Sequence, residues 1–207
     1  MKNFIFRRYK AMRRFSVNMM WALTLGGILL ASHTAHAQDR FSIEIDGGVS
    51  FATQDLGDAG LGTGMGFEAT LAYRIMPHLA GYAGWGWNHF PTDEPFAGAG
   101  LDVEETGYVF GLRFAHPFGT APLGYYVQAG GLYNHLEFED GDEIVADTGH
   151  GLGWEAGAGV MLSLGNDWRL LPGLLYRSLS RDVDMDGVNI DTELTYVSVR
   201  MGISKSF

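Results

Sequence analysis

The chain has 207 residues, enough for one domain, with 24 acidic residues against 14 Lys and Arg and a formal net charge of −10. That balance argues against a nucleic-acid partner, because phosphate binding needs a basic face. The chain has no cysteine, which excludes a disulfide, a thiolate metal site, a Cys nucleophile and lipid attachment at an N-terminal Cys.

The N-terminus reads as a targeting segment. Lys2, Arg7, Arg8, Lys10, Arg13 and Arg14 precede the apolar run Met20–Ser32 with no acid among them, and the small-x-small site Ala35-His36-Ala37 follows. This is the order of a secretory signal peptide, and the apolar run is shorter than the roughly 20 residues a spanning helix needs. Residues 1–37 are therefore expected to be a signal peptide, with Met1 or Met12 as the start, cleaved during export through the inner membrane. Residues 38–207 are expected to form one domain. That domain carries all 24 acids against 8 bases, a net charge of −16.

No later segment is long and apolar enough to span a membrane as a helix. The signal lies in the period instead. Phe41, Ile43, Ile45 and Val49 alternate with Ser42, Glu44, Asp46, Gly48 and Ser50. Met65–Ile75 splits its apolar residues from Gly66, Glu68, Thr70, Ala72 and Arg74, and Leu79–Asn88 is a fainter version. Tyr108, Phe110, Leu112 and Phe114 oppose Gly107, Gly111 and Arg113. Leu123–Asn134 is again faint, Leu152–Leu162 sets large apolar residues against Gly and Glu155, and Trp168–Arg177 is faint. In Tyr196–Phe207, Val197, Val199, Met201 and Ile203 share one face, and Ser198, Arg200, Gly202 and Ser204 the other. Strand side chains alternate faces with period two, so eight strands are predicted, each with one bulky apolar face and one small, polar or charged face. An eight-stranded barrel has room inside only for side chains. The small face therefore suits the lumen and the bulky face suits lipid, with all backbone groups paired by closure.

The predicted connections alternate between short (Met76–His78, His116–Pro122, Leu164–Asp167) and long (Ala52–Thr63, His89–Glu105, Glu137–Gly149, Ser178–Glu193). Short periplasmic turns and long outward loops alternate in this way in transmembrane barrels. The long stretches hold 18 of the 24 acids and one base, Arg181. From about residue 40 to 207 the chain resembles the small outer-membrane barrel superfamily that includes the transmembrane domain of outer-membrane protein A and the outer-membrane proteins X and W. Its most specific mark is a C-terminal assembly signal, met here by Arg200, Gly202 and Phe207, with Lys205 departing where an apolar residue is usual. The resemblance implies a closed all-β antiparallel transmembrane barrel in the cell outer membrane. It also implies a monomer inserted by the barrel assembly machinery and surrounded by outer-membrane lipid and lipopolysaccharide.

Glu44, Asp46, Glu68 and Glu155 on the lumen face balance Arg74, Arg113, Arg177 and Arg200. Buried charges must be paired, so these are expected to form a salt-bridge network that plugs the lumen; a gated polar channel is the other reading. The acidic loops read as solvating charge or as recruiters of divalent cations that bridge to lipopolysaccharide. No cofactor is expected beyond one candidate. Asp182-x-Asp184-x-Asp186-Gly187-x5-Glu193 fits the calcium-loop spacing, although strands rather than helices flank it. His89, His135 and His150 could lie near the outer rim with Ser178 and Ser180, yet no His-x-Ser pair or G-x-S-x-G elbow exists. The function expected is a non-enzymatic barrel with a structural or surface-interaction role. The alternatives are a narrow porin or hydrophobic-compound channel and, third, a lipid A-modifying enzyme. Mass spectrometry of the exported protein is expected to find Gln38 at its N-terminus; a retained basic segment would contradict the cleavage.

Overall fold

The computed structural model describes residues 40–54, 60–92, 102–140, 143–185 and 188–207, with side chains for all of these except 143, 182–185 and 188–191. The predicted signal peptide lies outside the described residues.

Nine strands follow in order: β1 (Phe41–Ala52), β2 (Gly64–Met76), β3 (Leu79–Phe90), β4 (Asp102–Pro117), β5 (Leu123–Asp140), β6 (Glu143–Asp147), β7 (Gly151–Gly165), β8 (Trp168–Met185) and β9 (Val188–Ser206). All pairings are antiparallel between neighbours, β1 also pairs with β9, and β5 pairs with β4 and β7, so eight strands close a barrel. The short β6 adds to the upper part of β5 alone. Among the described residues no helix is long and apolar enough to cross a membrane; the strands form the wall.

Three tight connections gather at one end. His78 ends the β2–β3 turn with φ 71°, and Asn166 and Asp167 make the β7–β8 turn with φ 50° and 63°. Two consecutive left-handed residues are the two-residue hairpin geometry that matches strand twist. The opposite end carries the long hairpins, and here the strands run further than their alternation predicts. Much of Glu137–Gly149 is β5 and β6, and most of Ser178–Glu193 is the paired β8–β9 hairpin. Two predicted loops are thus largely strand, because cross-strand pairing extends the ladder into polar sequence with no apolar period.

Alternation sets the two faces. Ile45, Phe67, Leu71, Phe110, Leu112, Val127, Leu174, Val199 and Met201 are exposed on the outside. Aromatic pairs mark the edges of this apolar band: Phe41–Tyr73 at 4.9 Å toward the turns, and Phe67–Trp85 at 5.7 Å and Trp154–Tyr176 at 5.1 Å toward the hairpins. Inside, small residues are a steric requirement. A Cβ on Gly84 would stand 2.2 Å from the Ala69 carbonyl oxygen.

Candidate functional site

The inward faces of the strands build three tiers along the barrel axis. The middle tier is charged. Arg177, on β8, has no exposed surface. Its Nε donates to Glu155 at 2.9 Å, its Nη2 meets Glu68 and Glu155, and its Nη1 lies 3.5 Å from Glu105. One guanidinium thus gathers carboxylates from β2, β4 and β7. Tyr82 donates to Glu155 at 2.6 Å, and Tyr196, Asn134 and Asn88 all donate to Glu105. Arg200 donates to Asp46 at 2.7 Å and to Asn88 at 3.0 Å, and lies 3.4 Å from Glu68. Arg113 donates to both Glu44 oxygens and to Gln128. Charge-assisted and bidentate bonds of this kind are the strong ones, and they offset the cost of removing the ions from water.

The tier toward the hairpin end is apolar. Phe90, Val103, Leu132, Leu136, Phe138, Leu179 and Leu194 are fully buried there, with Tyr196 bordering the charged tier. The Phe90 and Tyr196 rings meet edge-on at 5.0 Å. Above the bilayer a barrel has water on both sides of its wall, and filling the interior with apolar side chains stabilises that protruding part as an ordinary core. The third tier, at the turn end, is an open cavity of about 460 Å³.

The predicted charge set divides accordingly. Glu44, Asp46, Glu68, Arg113, Glu155, Arg177 and Arg200 lie in the middle tier. Arg74 does not; it is exposed and lines the cavity at the turn end, because its position near the end of β2 falls below the carboxylates. Two members of the interior, Glu105 and Arg181, fall in stretches whose sequence predicts loop. Glu105 is inside because β4 begins at Asp102. Arg181 continues the inward face of β8 and donates to the carbonyl oxygens of Asn134, Gly151, Leu152 and Ser180. The strand parities of Gly107 and Arg177, carried two and four residues further, would have found both.

The calcium-loop spacing falls on the β8–β9 hairpin. Asp186 lies outside the described residues, as do the side chains of Asp182 and Asp184. The register sets Asp182 opposite Asp191 and Glu193 opposite Ser180. On either side of positions 186 and 187 the described backbone is extended and paired. In the C-terminal motif, Arg200 and Gly202 face inward, and the Phe207 amide donates to the Phe41 carbonyl oxygen at 2.8 Å. Lys205, the departure from the motif, reaches the Asn166 carbonyl oxygen at 2.5 Å and lies over the Trp168 ring. Its ammonium is thereby carried out of the apolar band to the turn.

The rim histidines lie on the outer face of the hairpin end. Register aligns His89 with Glu104, Glu104 with Glu137, and Glu137 with Asp147, in a row across β3, β4, β5 and β6. Like charges directly opposite repel, and imidazoles flank them. His89 lies 3.5 Å from Glu104, and His135 lies 3.1 Å from Asp147 and stacks on His150 at 4.5 Å. Partial burial and the neighbouring Glu104 and Glu137 push the Glu139 carboxyl up. Partial burial pushes Asp147 up too, but the Gly149 amide and the His135 ring outweigh it and hold that carboxyl below its ordinary value. His135, Glu137 and Asp147 bring their ligand atoms within 4.8 Å of one another, as do Glu104, Glu137 and Glu139.

A closed barrel with a bulky apolar outer band, aromatic edges, a polar interior and alternating short turns and long hairpins is an integral membrane β-barrel. The outer membrane protein beta-barrel domain family matches residues 22–203, and the chain belongs to that family. No curated protein sequence matches the chain. Among solved structures, it is similar to Neisserial surface protein A, at 15% identity over 81% of this chain and 97% of that one, with a TM-score of 0.63. It is also similar to OprG of Pseudomonas aeruginosa, at 13% identity over 81% and 96%, TM-score 0.51. A major outer membrane protein of Thermus thermophilus aligns at 14% identity over 81% and 98%, TM-score 0.50. At these identities the likeness is one of fold, and in such a fold the short turns face the periplasm and the long hairpins the outside.

Removing the Arg177 guanidinium leaves Glu68, Glu105 and Glu155 without their shared cation. Arg177→Met is expected to lower unfolding stability in lipid by about 3–5 kcal/mol. Denaturant titration followed by tryptophan fluorescence measures it, and a loss under about 1 kcal/mol, the range of an exposed ion pair, would contradict the tier's role.

Proposed function

We propose that the protein is a non-enzymatic, non-conducting outer-membrane barrel, exported through the inner membrane with a cleaved signal peptide, whose work is done by the surfaces it displays. The observation that carries this reading is the double seal of the lumen, an ion-paired tier beneath an apolar tier. A permeating ion or solute would have to break the Arg177 cluster, leaving several buried charges unpaired, and also part the packing of Phe90, Leu136 and Phe138. The rim histidines support the non-enzymatic reading, since the polar contacts of His89 and His135 go to carboxylates rather than to a serine hydroxyl.

The acidic row His89–Glu104–Glu137–Asp147 supports a surface role. It stands just outside the aromatic edge, at the height of the lipopolysaccharide headgroups, where divalent counterions bridge carboxylates to lipid phosphates. The barrel is a monomer in this reading, because among the described residues its wall leaves no unpaired strand edge within the membrane band.

Planar-bilayer recording tests the seal. The wild-type protein is expected to give no steady conductance across the physiological voltage range, and Arg177→Met with Leu136→Gly is expected to give flickering openings. Steady wild-type conductance would support the narrow-pore alternative and overturn this reading.

A further inference from the structure

We infer that the periplasmic mouth of the barrel is a binding cup for a small amphiphilic anion, with one phosphate, sulfonate or carboxylate head on a short apolar body. Eight basic residues follow position 37 in a domain of net charge −16, and four of them, Arg40, Arg74, Arg113 and Arg169, line this single cavity. No Asp or Glu is among its described lining residues. In the middle tier the arrangement is the opposite, since Arg177 and Arg200 each meet two or more carboxylates. The mouth thus differs from the plug in having arginines around an open cavity with no carboxylate in its described lining.

The floor and the walls differ in chemistry. Arg113 forms the floor; Glu44 neutralises it, Gln128 holds its Nε at 3.0 Å, and the Tyr82 and Tyr126 rings flank it at 5.6 and 5.0 Å. It is fixed and closes the cup, so a ligand enters and leaves by the same opening. On the wall Arg169 donates to the Ser206 hydroxyl at 2.9 Å, and at the rim Arg40 reaches the Tyr73 hydroxyl of the outer face at 3.4 Å. Neither Arg40 nor Arg74 has a carboxylate partner among the described residues, and an anion in the cup would meet the Arg74 and Arg169 side chains of its wall. Guanidinium forks bind the planar or tetrahedral oxygens of carboxylate and phosphate in pairs. The rest of the lining includes the inward-facing Ala72, Ala80, Met161 and Leu171. These favour an apolar body over a bare ion, because a hydrated ion would leave that surface wet. The volume, about 460 Å³, lies within the range of small-molecule pockets.

The test uses the refolded protein in phosphatidylcholine nanodiscs, with nitrogen-15 in its arginines and the side-chain Nε–H resonances followed by NMR. Hexyl phosphate, inorganic phosphate and hexanol are titrated separately. Hexyl phosphate is expected to shift the cavity arginines saturably, with half-saturation at least about tenfold below that of inorganic phosphate, a difference of about 1.4 kcal/mol. Hexanol is expected to leave them unmoved. Arg74→Gln with Arg169→Gln should raise the hexyl phosphate half-saturation by about tenfold or more. The Arg177 resonance, buried in the plug, reports that the variant is folded. Phosphatidylglycerol nanodiscs separate the sources: a lipid headgroup that supplies the anion shifts the cavity resonances before any titration, and hexyl phosphate then competes. Equal affinity for the two phosphates, unchanged affinity in the double variant, or no saturable shift in either disc would overturn the proposal.

Discussion

The interior of this barrel depends on one guanidinium. Arg177 is fully buried and contacts carboxylates that arrive from β2, β4 and β7, while its own strand, β8, lies between β7 and β9. A barrel wall of eight strands is held in sequence by ladder hydrogen bonds, but ladders fix only neighbours. Glu68 and Glu105 reach Arg177 from the opposite side of the wall, so the ion cluster also fixes strands that are not neighbours. A one-residue slip of any of these strands would turn its carboxylate toward lipid. Tyr82, Asn88, Asn134 and Tyr196 supply the remaining donors, which matters because three arginines face five carboxylates in this tier.

The tiers follow from what each strand presents inward at each height. β8 shows the whole axis: Arg169 in the periplasmic cup, Leu171 and Gly173 next, Leu175 below the plug, Arg177 in it, Leu179 in the apolar tier and Arg181 above. Outside the charged tier the wall shows Phe67, Trp85 and Phe110, and outside the far part of the apolar tier it shows His89, Glu104 and Glu137. The inside-out pattern of the membrane band thus gives way to an ordinary apolar interior as soon as water returns to the outside. Arg181 ends the stack by donating to backbone carbonyl oxygens of β5, β7 and β8.

The wall was legible in the sequence because period two is a local property. Residues such as Phe110, Leu112 and Phe114 declare one face without knowledge of any partner strand, and Gly107, Gly111 and Arg113 declare the other. The ends of the strands were not legible. β5 and β8 continue through acidic stretches that carry no apolar period, and their pairing with β6 and β9 is decided by the hairpin. Glu105 and Arg181 lie in such extensions, and Arg74 shares the inward face of β2 without sharing the height of the plug, because parity gives a face and not a height. The row His89–Glu104–Glu137–Asp147 had no sequence signal at all, since it exists only through the register of four strands.

The central claim is that the lumen is open to water at the periplasmic cup and closed from the charged tier outward. The chain has no native cysteine, so a single introduced thiol is an unambiguous probe. Ser42 lines the cup, whereas Ser198 is fully buried in the middle tier, hydrogen-bonded to Ser50 at 2.7 Å. In the folded barrel, Ser42→Cys is expected to react with a small, water-soluble methanethiosulfonate reagent, and Ser198→Cys to stay unmodified until the barrel is unfolded. Labelling of Ser198→Cys at a rate comparable to that of Ser42→Cys in the folded protein would mean that water passes the plug, and would contradict the account.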